Sequence, residues 1–231
     1  MNSLNQCTTL LRAVPVISHA GLGAMLVNVA DGAFDLTLQY QVWAMARKLM
    51  ERRSEGIDEV VPGVNNLLVM FDPLTLHPRD AERLLLDCWS NADGAGIQGR
   101  EIEIPVIYGG AAGEDLPWLA QSAGLDIANW VGIHAQASYS VACVGSMPGF
   151  AYLAGLSEDL ATPRRATPRM SLPKGSVIIG GEQAGVMPCT APSGWHVVGR
   201  TEVDLFDPSR EQPCLLMPGD RVRFVCRGIE A

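Results

Sequence analysis

Residues 145–201 read GSMPGFAYLAGLSEDLATPRRATPRMSLPKGSVIIGGEQAGVMPCTAPSGWHVVGRT. Of the 24 glycines and 15 prolines in the chain, 9 and 6 fall in this stretch. Such a run excludes a long helix, because proline lacks the N–H and glycine loses backbone entropy on ordering. The valines and isoleucines, with Trp195–Val198, argue against disorder. Short strands joined by shaped loops are the reading that remains. The local charge is also inverted: Arg164, Arg165, Arg169, Lys174 and Arg200 stand against Glu158, Asp159 and Glu182, in a chain whose formal net charge is −8.

Within it, Thr162–Arg169 is a small repeat, TPRRATPR, followed by Pro173. Each proline fixes its own φ and drives the residue before it to extended backbone. Side chains then alternate, so Arg165 and Arg169 share one face and Arg164 takes the other. Two guanidiniums on a stiff segment form a fork for a carboxylate or phosphate; the competing reading is a surface loop paired with acids of the same chain. Gly180–Gly185 does not match a phosphate-binding loop and no helix follows, so a tight turn is expected there, with Gln183 placed to hydrogen-bond a guest. Tyr152 follows Pro148-Gly149-Phe150 and would bring a phenol beside a pocket. His134 ends a helical stretch, where the dipole favours the protonated ring. His196 has no carboxylate near it in sequence, and no GxSxG elbow marks a nucleophile.

Outward from this stretch, the 231 residues are 48% hydrophobic and 18% charged, enough for one large or two small cores. The acidic balance disfavours nucleic-acid binding, and no apolar run reaches membrane-span length. The start MNSLNQCTTLLRAVPV lacks the pattern of a secretory signal. The six cysteines and four histidines are scattered without metal-ligand spacing, so reduced thiols, a cytoplasmic setting and no metal are expected. Leu10–Ile17 and Met25–Val29 read as strands, and Asp35 opens a helix to about Arg53 with Leu36, Tyr40, Trp43, Ala44, Arg47 and Met50 near one face. Ile57–Val61 and Asn66–Phe71 are strands split by Pro62-Gly63, and Pro78 opens a second helix. This ββαββα order suits two helices on one side of an antiparallel sheet. After a linker near 91–100 come a strand at 100–107 and short helices at 115–122 and 126–134. Strands follow at 140–144, 176–179, 195–198, 202–206, 214–217 and 221–226, which suggests a barrel.

The ordered motifs resemble the allophanate hydrolase subunit 1 family, also called the kinase-inhibitor I family. The matching residues are Tyr108-Gly109-Gly110, Asp115-Leu116, His134, Tyr139, Pro148-Gly149-Phe150, Tyr152, Ala161–Arg169, Gly175-Ser176, Gln183, Gly194-Trp195, Gly199-Arg200-Thr201 and Pro218–Phe224. The sequence departs from the family pattern at Ser146, Met147, Ala184, Met187, Ala191 and Ser193. The resemblance implies an α+β N-terminal domain of ferredoxin-like type (1–95) and a cyclophilin-like β-barrel domain (96–231). It implies a component of a heteromeric, ATP-dependent 5-oxoprolinase that opens 5-oxo-L-proline to L-glutamate. The implied partners are an allophanate hydrolase subunit 2 family protein, which is the C component of 5-oxoprolinase, and a lactam-utilisation-type protein, which is the A component. ATP belongs to the complex rather than to this chain alone. Arg164, Arg165, Arg169 and Arg200, helped by Gln183, are then expected to hold a carboxylate or phosphorylated intermediate. His134 and Tyr152 are expected to orient the carbonyl or a water. Two other functions within the family's range are inhibition of a histidine kinase by docking and a urea- or allophanate-type amidohydrolase role.

Overall fold

The structure is a computed structural model that describes residues 14–94 and 99–230. It divides into two compact units: one runs to Val61 and resumes over Asn65–Ala92, and the other takes Pro62–Val64 and continues from Asp93. Cys7 and the first part of the Leu10–Ile17 run lie outside the described residues. Among the described residues no helix is long and apolar enough to cross a membrane.

In the first unit, strands β1 (Val16–His19), β2 (Ala24–Asn28), β3 (Ile57–Pro62) and β4 (Asn66–Phe71) form a sheet in the order β1-β2-β4-β3. Strand β2 is antiparallel to both β1 and β4. Helix α1 (Leu36–Glu51) packs on β4 and on helix α2 (Pro78–Ser90). Asp35 caps α1 by accepting the N–H of Leu38 at 3.0 Å. The buried face of α1 matches the expected one only in part: Trp43 and Ala44 are buried, together with Gln39, Val42, Met45, Ala46 and Leu49, while Leu36, Arg47 and Met50 are exposed. A glutamine sits on the buried face. Gln39 Oε1 accepts the N–H of Asn65 at 2.6 Å, and Asn65, left-handed at φ 51, donates its amide to the Asp35 carbonyl at 2.7 Å. A polar side chain with a buried N–H to satisfy outweighs the count of apolar positions.

The second unit holds β5 (Glu101–Gly109), helices α3 (Leu116–Ser122) and α4 (Ile127–Gln136), β6 (Tyr139–Val144), β7 (Ala151–Ala154) and β8 (Arg169–Leu172). It continues with β9 (Ser176–Gly180), β10 (Gln183–Val186), β11 (Ala191–Ser193), β12 (His196–Arg200) and β13 (Arg221–Glu230). Seven of these strands close a barrel in the order β10-β7-β6-β13-β5-β12-β9, and β8 and β11 pair outside it. Strand β13 lies parallel to β5, where the other barrel pairs run antiparallel. Its core gathers Tyr108, Trp130, Tyr139, Leu153, Val177 and Phe224, all under 2% exposed. Helix α4 packs on β13, and α3 on β12 and β5.

Two expected strands are not formed. Residues 202–206 and 214–217 meet only through the isolated bridge of Phe206 to Cys214 and the flanking backbone bonds Leu215 N–H to Leu205 O and Asp207 N–H to Pro213 O. The next pair in that register is Val203 and Met217, whose N–H groups donate instead to Thr201 Oγ1 at 3.3 Å and Asp220 Oδ2 at 2.9 Å, so the ladder stops there. Strands β7, β8, β10 and β11, three or four residues each, were not read from the sequence. Gly175, at φ +82, turns the chain between β8 and β9, and a Cβ there would lie 2.2 Å from the Thr201 carbonyl oxygen. Gly175→Ala is therefore expected to cost roughly 2 kcal/mol or more, from strain alone and before the backbone clash. Urea denaturation of the variant checks it, and an unchanged midpoint would remove the constraint.

Candidate functional site

The TPRRATPR segment is pinned along its length. Thr162 exchanges backbone bonds with Gly181 at 3.1 and 2.7 Å, the Arg165 N–H donates to the Gly194 carbonyl at 2.8 Å, and Arg169 enters β8. His196 Nε2 lies 3.0 Å from the Pro163 carbonyl oxygen; a carbonyl only accepts, so Nε2 is the donor. The faces divide as the alternation requires. Arg165 and Arg169 reach the same carboxylate, that of Asp115, while Arg164 lies on the other side with its guanidinium carbon 5.6 Å from the centre of the Trp195 ring.

Asp115 is the hub. Its Oδ1 accepts from Arg165 Nη1 at 3.0 Å and from Arg169 Nη2 at 2.8 Å, and its Oδ2 accepts from Arg169 Nη1 at 2.9 Å and from the Val197 N–H at 2.8 Å. Val197 sits at the bulge where β12 shifts register against β9. Burial by itself raises the pKa of this carboxyl; the Arg169 and Val197 hydrogen bonds and the two guanidinium charges outweigh it and hold the group below the usual carboxylate range. Arg169 also binds Glu114 through Nε at 2.9 Å. With its side chain 17% exposed and its fork held by two acids, Arg169 is occupied within the chain.

The segment separates two hollows, and Arg164 and Arg165 line both. The larger, about 520 Å³, is bounded by Asp115, Trp118, Thr162, Pro163, Ala166, Thr167 and His196. Trp118 stacks on the His196 ring, with centroids 5.2 Å apart and planes at 23°. The smaller, about 310 Å³, is aromatic, lined by Phe150, Tyr152 and Trp195 with Met147 and Met187. Gly180 makes room for Trp195, since a Cβ would approach its ring to 2.7 Å. Four of the positions at which the sequence departs from the family pattern (Ser146, Met147, Met187 and Ser193) line this aromatic hollow.

The expected site residues are thus only partly gathered. Arg164, Arg165 and Tyr152 line the hollows. Arg200 does not join them: it borders other hollows and makes exposed ion pairs with Glu202 at 3.7 Å and Glu230 at 3.4 Å. Gln183 pairs with Gly180 and Ala154 in the barrel wall and lines neither hollow. His134 is a core residue rather than a site residue. Its ring is fully buried, stacked on Trp130 and Phe224, with Nδ1 2.9 Å from the Tyr108 hydroxyl. Burial pushes its pKa down to about 3, opposite to the rise expected from the helix end, because desolvation of the charged ring outweighs the dipole.

Sequence reasoning missed Asp115, Trp118 and His196 as site residues. Trp118 falls at an apolar position of a short helix, and only its 52% exposure separates it from a core residue. The carboxylate that faces His196, with Asp115 Oδ2 3.9 Å from Nδ1, arrives from a distant part of the chain, so no local spacing reports it.

Residues 15–216 match the family described as "Carboxyltransferase domain, subdomain C and D". The chain is 44% identical over 192 residues to the B subunit of 5-oxoprolinase from Haemophilus influenzae, covering 83% of this chain and 89% of the relative. It is 43% identical over 190 residues to the protein of the same name from Escherichia coli O157:H7, covering 82% and 86%. Among solved structures, that of TTHA0988 superposes with a TM-score of 0.77 at 33% identity, over 88% of this chain but 39% of that one, so this chain spans about two-fifths of it. With the match running through both units and bearing out the resemblance carried by the ordered motifs, the chain belongs to the carboxyltransferase-domain family, subdomains C and D.

Proposed function

We propose that this chain is the B component of a heteromeric, ATP-dependent 5-oxoprolinase, opening 5-oxo-L-proline to L-glutamate in the cytoplasm. Its partners in this reading are the allophanate hydrolase subunit 2 family protein and the lactam-utilisation-type protein, the C and A components, and ATP is held by the assembly. The observation that carries the proposal is the identity of more than 40% to two proteins named as the B subunit of 5-oxoprolinase, over four-fifths of either chain. The geometry is consistent with it. Water adds to the lactam carbonyl, the C–N bond breaks and the nitrogen leaves as an amine; this chain's part is to hold the substrate's carboxylate through Arg164 and Arg165. Pre-placed guanidiniums act without reorganisation as charge develops. Tyr152 stands in the aromatic hollow as a hydroxyl near the same arginines. We read the closed barrel as cyclophilin-like.

The test is purification of the three-protein set with and without this chain, measuring glutamate formed from 5-oxoproline and ATP. Omission is expected to lower turnover at least 100-fold; a rate unchanged by omission would refute the role.

A further inference from the structure

Trp118 is the one aromatic ring among the exposed large hydrophobic side chains of the described residues. It is nevertheless held in place: the indole stacks on His196, and His196 is fixed by its bond to the Pro163 carbonyl. A flat apolar surface kept rigid and wet is a platform for another flat group.

The charges beside it do not cancel. Arg165 and Arg169 face Asp115 and Glu114, and the pairs Arg165–Asp115, Arg169–Asp115 and Arg169–Glu114 leave Arg164, beside them in the segment, without a carboxylate among the described residues. The cluster therefore retains one positive charge, which suits a single carboxylate better than a phosphate dianion. The aromatic hollow offers a poorer platform. Phe150, Tyr152 and Trp195 pack edge to face on one another, Trp195 is 6% exposed, and Arg164 already lies over its ring.

We infer that the cleft between Trp118 and the Arg164–Arg165 pair is the subsite for a planar monocarboxylate, its ring flat on the indole and its carboxylate on the guanidiniums. The inference rests on the proposed function for the guest's name: 5-oxo-L-proline carries a planar amide in its ring and one carboxylate. Ring opening to glutamate removes the planar amide from the ring, so the product loses the stacking contact and leaves.

The experiment is a ligand-observed NMR titration of the full chain with 5-oxo-L-proline, 2-pyrrolidinone and inorganic phosphate. Binding of 5-oxo-L-proline is expected to weaken at least tenfold in Trp118→Leu and in Arg164→Met. Both side chains are exposed, and thermal melts of the two variants confirm that the fold is kept. 2-Pyrrolidinone, with the ring but no carboxylate, and phosphate, with charge but no flat face, are each expected to bind at least tenfold more weakly. Absence of binding by the unmodified chain, unchanged affinity in Trp118→Leu, or equal binding of either probe would overturn the subsite. The two proposals fail separately. An assembly that hydrolyses 5-oxoproline with an unchanged KM in Trp118→Leu sinks the subsite and leaves the function standing. Binding as expected in an assembly with no turnover does the reverse.

Discussion

Replacing Asp115 with alanine is expected to lower the stability of the barrel unit by about 3 kcal/mol, at the lower end for breaking a buried ion pair. The lower end applies because the Arg165 and Arg169 side chains keep 31% and 17% of their exposure. The loss has two sources. Two guanidiniums forfeit the carboxylate between them, and the Val197 N–H at the bulge of β12 is left unpaired. Asp115→Asn keeps the shape and a hydrogen-bond acceptor but not the charge, and should fall between the two. The pH dependence follows from the lowered carboxyl pKa. A group whose folded pKa lies below its unfolded value, here about 3.9 for an unfolded aspartate, contributes fully above that value. The contribution is lost as pH falls through the folded pKa. The gap between the parent chain and Asp115→Ala should therefore be full at pH 7 and narrow below about pH 4. Thermal unfolding at both pH values measures it, and equal midpoints at pH 7 would contradict the hub.

The second large effect concerns His134. Its folded pKa of about 3 lies under the roughly 6.5 of an unfolded histidine. As pH falls below 6.5 the unfolded chain gains a proton that the folded core refuses, so stability declines with acidification. At about 1.4 kcal/mol per pH unit, roughly 2 kcal/mol is lost between pH 6.5 and 5 from this ring alone. His134→Leu should be less stable at pH 8 by about 1–3 kcal/mol, because the buried Tyr108 hydroxyl loses its partner. Its stability should also fall less steeply between pH 6.5 and 5. Urea denaturation across that range decides the matter, and a slope no different from the parent would show that another group is responsible.

Much of the fold was legible because it rests on local chemistry. Asp35 and Asp126 were readable as helix starts, and each accepts an N–H three residues on. Pro78 opens α2 for the same kind of reason. The alternation of TPRRATPR correctly separated Arg164 from Arg165 and Arg169. What was not legible depends on distant partners. Nothing around Arg169 announces that Asp115 and Glu114 will take its fork, and nothing around His134 announces that Trp130, Phe224 and Tyr108 will enclose it. The reading that the arginines of this segment pair with acids of the same chain holds for Arg165 and Arg169; Arg164 alone of the three lacks such a pair among the described residues.

The parallel pairing of β13 with β5 has a consequence for biosynthesis. Arg223 on β13 faces Glu103 on β5 across 120 residues of sequence, and the same strand also borders β6. As the polypeptide leaves the ribosome at about 5–20 residues per second, β5 waits roughly 10 s for β13, with both edges unpaired until β12 emerges and one edge unpaired after that. The first unit, by contrast, needs nothing beyond Ala92 to complete its sheet. Nascent chains of this protein are thus most open to chaperone capture, and to pairing with one another, in the interval after β5 has emerged and before β13 does.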